Sequence, residues 1–483
     1  MKQTSLVKNY IFNITYQMLV LLAPLITTPY VSRVLGVTNV GIFQYTETIT
    51  AYFVLFGCVG TSLYGQREIA YHMDDPVRRT RVFWETELFR LSSNLIWGIL
   101  FVFICCRQGE YAGIYIAQAV IIVSTALDVS WFFMGVGNFR ITMVRMVIIK
   151  SLEILAVFLF VRTKEDLIIY VLCSTVPTLI GNLSLWCSLK NYLVRYRPNS
   201  SDVLHGMAER IKPVLMLFLP QVATDVYIRL DVAMLGWIGT DIDQVGLYSQ
   251  AQKVVRIVLL IVTSLGSVML TAMSSSFAKG EKEKIVQSLQ VAFRFIYMLS
   301  FALAFGLCAI APRFVPVFFG AGYEPVIMLI AVISPILVIV ATSNVLGKQY
   351  LLPTDQQKAY TASVLLGTGV NAFLNLLLIP VWNAIGASVA TVIAELAVAA
   401  AEYCYVRKQL PVKSWFLHSL RYGVMGLVMF FVVRGAGMLL PPGKIWVIPV
   451  MVAVGVIVYV SELCLIRDPI FRTGISLLKK KQN

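Results

Sequence analysis

The amino-acid sequence predicts an all-α polytopic membrane protein of about fourteen transmembrane helices, built as two six-helix lobes plus two C-terminal helices. Three observations predict it. The 483 residues are 58% hydrophobic and only 13% charged, with a mean hydropathy of +0.78, where soluble domains carry roughly 25% charged residues. The apolar residues lie in continuous blocks of about 20–25, long enough to span a bilayer as helices and without the period-two alternation of a barrel. A sequence pattern also recurs at an offset of about 200 residues, as described below.

The spans fall near 8–31, 40–65, 82–106, 111–136, 141–161, 167–189, 213–236, 244–273, 288–311, 324–346, 358–380, 384–406, 415–436 and 445–466. Lys2 and Lys8 precede the first span, which is too long for a signal-peptide core and is followed by no small-residue cleavage site. It reads as an uncleaved first helix. A cytoplasmic N-terminus then puts 28 Lys and Arg on the inner side and seven on the outer, a strong orientation signal. The C-terminus, with Lys479, Lys480 and Lys481, falls on the inner side as well. The excess charge behind the pI of 9.4 is therefore expected to face anionic lipid, and nucleic acid is excluded as a partner.

The outer loops are short, the longest lying around 312–323 and 434–444, so no soluble catalytic domain fits there. The longest inner segment divides six spans from the rest. The expected organisation is an N-terminal lobe at 1–190, a cytoplasmic linker at 191–212, a second lobe at 213–406, and two added helices with a basic tail at 407–483. The repeat agrees with it. Leu35-Gly36 is followed by Val40-Gly41-Ile42-Phe43, and Leu235-Gly236 by Val245-Gly246-Leu247-Tyr248. Both copies fall on an outer hairpin, after one span and after seven. That makes the halves parallel, with a cavity between them.

Several chemistries are absent. No phosphate-binding G-x-x-x-x-G-K-[ST] loop, G-x-S-x-G elbow or H-E-x-x-H helix occurs, so no enzyme and no nucleotide-driven pump is expected. The eight cysteines lie within or at the ends of apolar spans, and His72, His205 and His418 have no metal-ligand spacing, so neither a metal nor a cofactor is expected. Asp241-Ile242-Asp243 on a short outer loop reads as a solvated helix-capping turn.

Charges inside the spans are the informative residues, because each is costly in hydrocarbon unless paired or hydrated. Asp225 and Arg229 stand i,i+4 on the seventh span, Glu87 and Arg90 i,i+3 on the third, and Lys253 and Arg256 i,i+3 on the eighth. Glu47, Asp128, Glu153 and Glu395 are isolated acids. Such a set fits a wet cavity whose cations would suit an anionic cargo, phosphate or pyrophosphate above all.

At these residues the chain resembles Wzx-type polysaccharide (O-antigen) flippases. The resemblance is carried by NYIFNITYQMLVLLAPLITTPYVSRVLGVTNVGIFQYTETITAYFVLFGCVGTSLYGQREIA, by IRLDVAMLG followed by VGLYSQAQKV, by FFGAGYEP, and by NAFLNLLLIPVWNAIGASVATVIAE. It implies the multidrug/oligosaccharidyl-lipid/polysaccharide exporter fold. It also implies cation-coupled, alternating-access flipping of undecaprenyl-pyrophosphate-linked oligosaccharide across the bacterial cytoplasmic membrane. A polysaccharide polymerase and glycosyltransferases would be its pathway partners, and membrane lipid its surroundings. On that reading Arg229, Lys253, Arg256 and Arg90 contact the headgroup or acidic sugars. Asp225, Glu47, Asp128 and Glu395 couple a proton or sodium, or serve as counter-ions. Multidrug exporters of the same fold carry acids in the first helix of a lobe, and the first span here has none. A cation-coupled multidrug exporter is the alternative, and a membrane glycosyltransferase or polymerase the more distant one.

Overall fold

A computed structural model describes residues 3–107, 109–194 and 200–472, with side chains described from Ala23 onward except at 200–205, 207–208, 220, 223 and 264–272. The expected inner basic residues Lys2, Arg195, Arg197, Lys479, Lys480 and Lys481 lie outside the described residues, as do the side chains of Lys8 and His205.

The helices run in the order α1 (Gln3–Cys58), α2 (Thr61–Tyr71), α3 (Pro76–Ile104), α4 (Ala112–Ala126), α5 (Ser130–Gly135), α6 (Phe139–Phe160), α7 (Leu167–Leu189), α8 (Ser200–Ile238), α9 (Ile242–Ala278), α10 (Lys282–Phe318), α11 (Pro325–Ile333), α12 (Ile336–Ser343), α13 (Gln357–Val406), α14 (Val412–Leu439) and α15 (Val447–Leu465). A π-helical segment, Asn344–Leu351, follows α12. Among the described residues ten stretches are long and apolar enough to cross a membrane, or eleven with the bent α8. The chain is thus an all-helical, multi-pass membrane protein.

The sequence spans map onto these helices with two mergers, and spans two, four and ten are each divided between two helices. Spans one and two form the continuous α1, broken at Gly36, whose φ of 77° only glycine adopts readily. Spans eleven and twelve form α13, broken at Asn383 (φ 47°). The fifth span, α6, carries Arg140, Arg145, Lys150 and Glu153 and is not among the ten apolar stretches.

Helix starts follow local chemistry. Asp75 accepts from the N–H groups of Val77 and Arg78, both at 3.0 Å, with Pro76 opening α3. Asp241 caps α9 by accepting from Asp243 N at 3.1 Å, which makes that acidic loop a capping turn. In the loop between α6 and α7, Asp166 accepts from the N–H groups of Arg162 (2.8 Å) and Thr163 (2.7 Å). These bonds hold its carboxyl below the usual carboxylate range.

The chain forms two compact units, Met1–Ala233 and Met234–Asn483. In the first, Val31, Leu35, Val157, Val161 and Val171 pack one core, and Phe83, Trp131, Phe132, Phe133 and Leu185 another. Gly65 admits the Trp131 ring, which would lie 2.4 Å from a side-chain methyl there. In the second, α10 and α14 share a core through Phe293, Tyr297, Trp415, Tyr422 and Met429. Arg313 ties the end of α14 by donating to the carbonyls of Gly437 and Leu440. Asp468 accepts from Arg421 and from Tyr422, the latter at 2.8 Å.

Most of α8 belongs to the first unit, and one of its faces explains this. Gly206, Arg210, Val214 and Phe218 recur every fourth residue, a single helical stripe. A methyl on Gly206 would come within 2.3 Å of Glu85 Oε1, and Phe218 lies 3.2 Å from where one on Gly60 would stand. The Phe218 and Phe56 rings meet edge-on at 5.9 Å.

Candidate functional site

In the first unit, the seventh and second spans bring Arg229 and Glu47 together. Arg229 Nη1 lies 3.4 Å from Glu47 Oε1, with side-chain exposures of 35% and 42%. Asp225, one turn from Arg229 and the partner its spacing suggests, does not make the ion pair. The Tyr52 hydroxyl stands within the field of Arg229, Asp231 and Asp225, which gathers the charged stretch of α8 against one segment of α1. Asp231 is buried at 4% exposure, while Asp225 and Arg229 are half-buried. A half-exposed pair at this distance contributes about 0–1 kcal/mol.

Arg90 is placed differently from the expectation. It is 2% exposed inside the bundle, donating to the Thr125 carbonyl, the Ser62 hydroxyl (3.3 Å) and Cys58 Sγ (3.8 Å). These bonds make it an internal brace between α2, α3 and α4 rather than a surface for a headgroup. Glu87, three residues earlier, does not pair with it, and among the described residues both of its buried carboxyl oxygens lack a hydrogen-bond partner. Asp128 is not isolated. It lies 3.6 Å from Arg145 Nη1 and accepts from Ser130 N at 3.0 Å. Arg145 lies within α6, buried with a bond to Asn182. Glu153 pairs with Lys150 at 2.7 Å.

In the second unit the cations of the eighth span stand on α9, Lys253 half-buried and Arg256 exposed. Arg256 Nε donates to Gln252 Oε1 at 3.1 Å, Gln252 Nε2 donates to the Tyr248 hydroxyl, and that hydroxyl meets Thr391 Oγ1 on α13 at 3.0 Å. A neutral chain of three side chains thus aims the Arg256 guanidinium. Glu395 lies one turn beyond Thr391, half-buried. Of the eight expected residues, the structure joins Glu47 to Arg229 and groups Asp225 with them. It sets Lys253 and Arg256 on one helix, and encloses Arg90 within its bundle.

The sequence reading missed Glu85. Its side chain is 1% exposed, and it accepts from Arg81 Nε at 2.7 Å and from two nitrogens of Arg210. Arg210 Nη1 also donates to the Tyr64 hydroxyl at 2.7 Å. The available signal was an acid inside an apolar span, one helical turn after Arg81.

Comparison with known proteins adds the following. Residues 6–277 match the family described as "Polysaccharide biosynthesis protein". The chain is 22% identical over 410 residues to the "Putative O-antigen transporter" of Escherichia coli (strain K12), covering 83% of this chain and 97% of that one. It is similar to the solved structure of the lipid II flippase MurJ in its inward closed conformation. There the TM-score is 0.71 at 14% identity, over 96% of this chain and 99% of that one. An inward-facing MATE family multidrug resistance transporter of the MOP superfamily gives a TM-score of 0.53 at 12% identity, over 81% and 98%. At these identities the structural likeness is one of fold.

Proposed function

The chain belongs to the polysaccharide biosynthesis protein family, and from that premise we propose that it is a flippase for lipid-linked oligosaccharide. Its cargo is an undecaprenyl-pyrophosphate-linked repeat unit, carried from the inner to the outer leaflet of the bacterial cytoplasmic membrane. It works by alternating access, with lobes at 1–190 and 213–406 and both termini cytoplasmic. The observation that carries the reading is Arg229, half-exposed within a span-length helix and, among the described residues, held by the loose contact to Glu47. The likeness to an O-antigen transporter along 97% of that protein supports the cargo class. Arg229, Lys253 and Arg256 would meet the pyrophosphate or acidic sugars, and Asp225, Glu47, Asp128 and Glu395 would couple a cation or return as counter-ions. The polyprenyl tail would stay in lipid.

A cation-coupled drug exporter is the second reading, favoured by the fold shared with a multidrug transporter. Deleting the gene separates the two. A flippase deletion loses surface polysaccharide and accumulates lipid-linked repeat units facing the cytoplasm. Normal polysaccharide together with new drug sensitivity would favour the exporter.

A further inference from the structure

A buried acid in the second unit takes no part in the site above. Glu402 is fully buried, and among the described residues neither carboxyl oxygen has a hydrogen-bond partner. It stands about one turn before the end of α13, pressed against the π-helical segment Asn344–Leu351. A methyl on Gly347 would come within 2.3 Å of Glu402 Oε1 and 2.8 Å of the Tyr360 ring, so the acid seats on the backbone of the wide turn where a side chain would exclude it. Single π-helical turns are rare and concentrate at functional sites. This one also buries Asn344 and Gln349. Gln349 Nε2 donates to Asn344 Oδ1 at 3.0 Å, while Gln349 Oε1 has no partner.

Four groups act on the carboxyl. Ser343 at the end of α12 lies near it outside hydrogen-bond geometry, and Lys348 belongs to the π segment. Tyr360 comes from the first half of α13, and Glu395 is a second acid on the same helix. Lys348, the cation in this set, is exposed. An ionised carboxylate enclosed in this way is strongly destabilised relative to its neutral acid.

We propose that Glu402 holds a proton while α13 is packed on the π segment, and that release of this proton accompanies their separation. The seat is a proton site and a pH-sensitive switch at the end of α13 near Val406, the cytoplasmic end if the N-terminus is cytoplasmic. A group that binds its proton more tightly in the packed state stabilises that state at low pH and loses the effect as pH rises. Acid therefore favours the packed arrangement, and alkali favours separation as water reaches the carboxyl. What the switch gates rests on the flippase reading, while the proton site itself does not.

Infrared pH titration of the full-length protein in lipid, wild type against Glu402→Gln, tests it. The expected wild-type spectrum at neutral pH contains a carboxylic-acid C=O stretch that the variant lacks and that alkali removes. Glutamine matches the neutral acid, so the variant should fold, and its thermal stability should lose the wild type's alkaline decline. Matching spectra, or a Glu402→Gln chain that fails to fold, would overturn the proposal. Transport of lipid-linked oligosaccharide should depend on pH in the wild type and much less in the variant, and equal pH profiles would overturn the switch. A band that is present in a protein that moves no such lipid would leave the proton site standing and sink the flippase reading.

Discussion

Glu85 with Arg210 removed leaves a carboxylate at 1% exposure with a single remaining cation, Arg81. Arg210→Met is expected to destabilise the protein by roughly 3–5 kcal/mol, the usual penalty for breaking a buried ion pair from one side. That is enough to lower its membrane level severalfold. Glu85→Gln should be milder, because it leaves no enclosed charge. The double variant Glu85→Gln/Arg210→Met should recover much of the loss, since removing both partners abolishes the enclosed charge. Thermal unfolding of the four purified proteins measures this coupling, and strictly additive losses would show that the pair acts independently. The effect reaches beyond the pair, because Arg210 lies on the α8 stripe that joins this helix to the first unit.

Arg256→Gln is expected to cut surface polysaccharide about 10- to 100-fold while the protein stays in the membrane at its wild-type level, the scale of losing charged hydrogen bonds worth about 1.5–3 kcal/mol. Lys253→Gln should act in the same direction. Arg256→Lys should fall between, because it keeps the charge and loses the planar fork that matches a phosphate. Gln252→Ala should weaken function less, since it removes only the neutral acceptor that aims Nε. Quantitative glycan staining against protein level reads the series. Full glycan in both charge-neutral variants would remove these cations from the cargo path.

Much of this was legible in the sequence, for physical reasons. Long apolar runs have one solution in lipid, so the helices and their order followed from hydropathy. The breaks at Gly36 and Asn383 fall in the short polar gaps between adjacent spans. The two copies of the repeat differ in the structure, since the chain breaks at Gly36 while Gly236 lies inside α8, which runs to Ile238. Pairing was less legible. Helical spacing suggested Asp225 for Arg229 and Glu87 for Arg90, yet Arg229 meets Glu47 from α1, and Arg90 turns to a carbonyl and a hydroxyl. A spacing rule sees only one helix, whereas a partner 182 residues away is set by how helices pack. The charges at 195–212 suggested a linker. The fourfold spacing from Gly206 to Phe218 was the sign that residues 206–218 are helical and packed. Asp128 likewise gained its partner from α6, which no local pattern could reveal.

The central claim is the movement of lipid-linked oligosaccharide itself. It is tested most directly by reconstituting the purified protein in vesicles that hold a fluorescent undecaprenyl-pyrophosphate oligosaccharide, then following its exposure to an external glycan-cleaving enzyme. The account predicts that the protected pool becomes cleavable at a rate set by the protein, and that Arg256→Gln slows this about 10- to 100-fold. A protected pool that stays uncleaved in vesicles containing correctly folded protein, across pH and cation gradients of either sign, would contradict it.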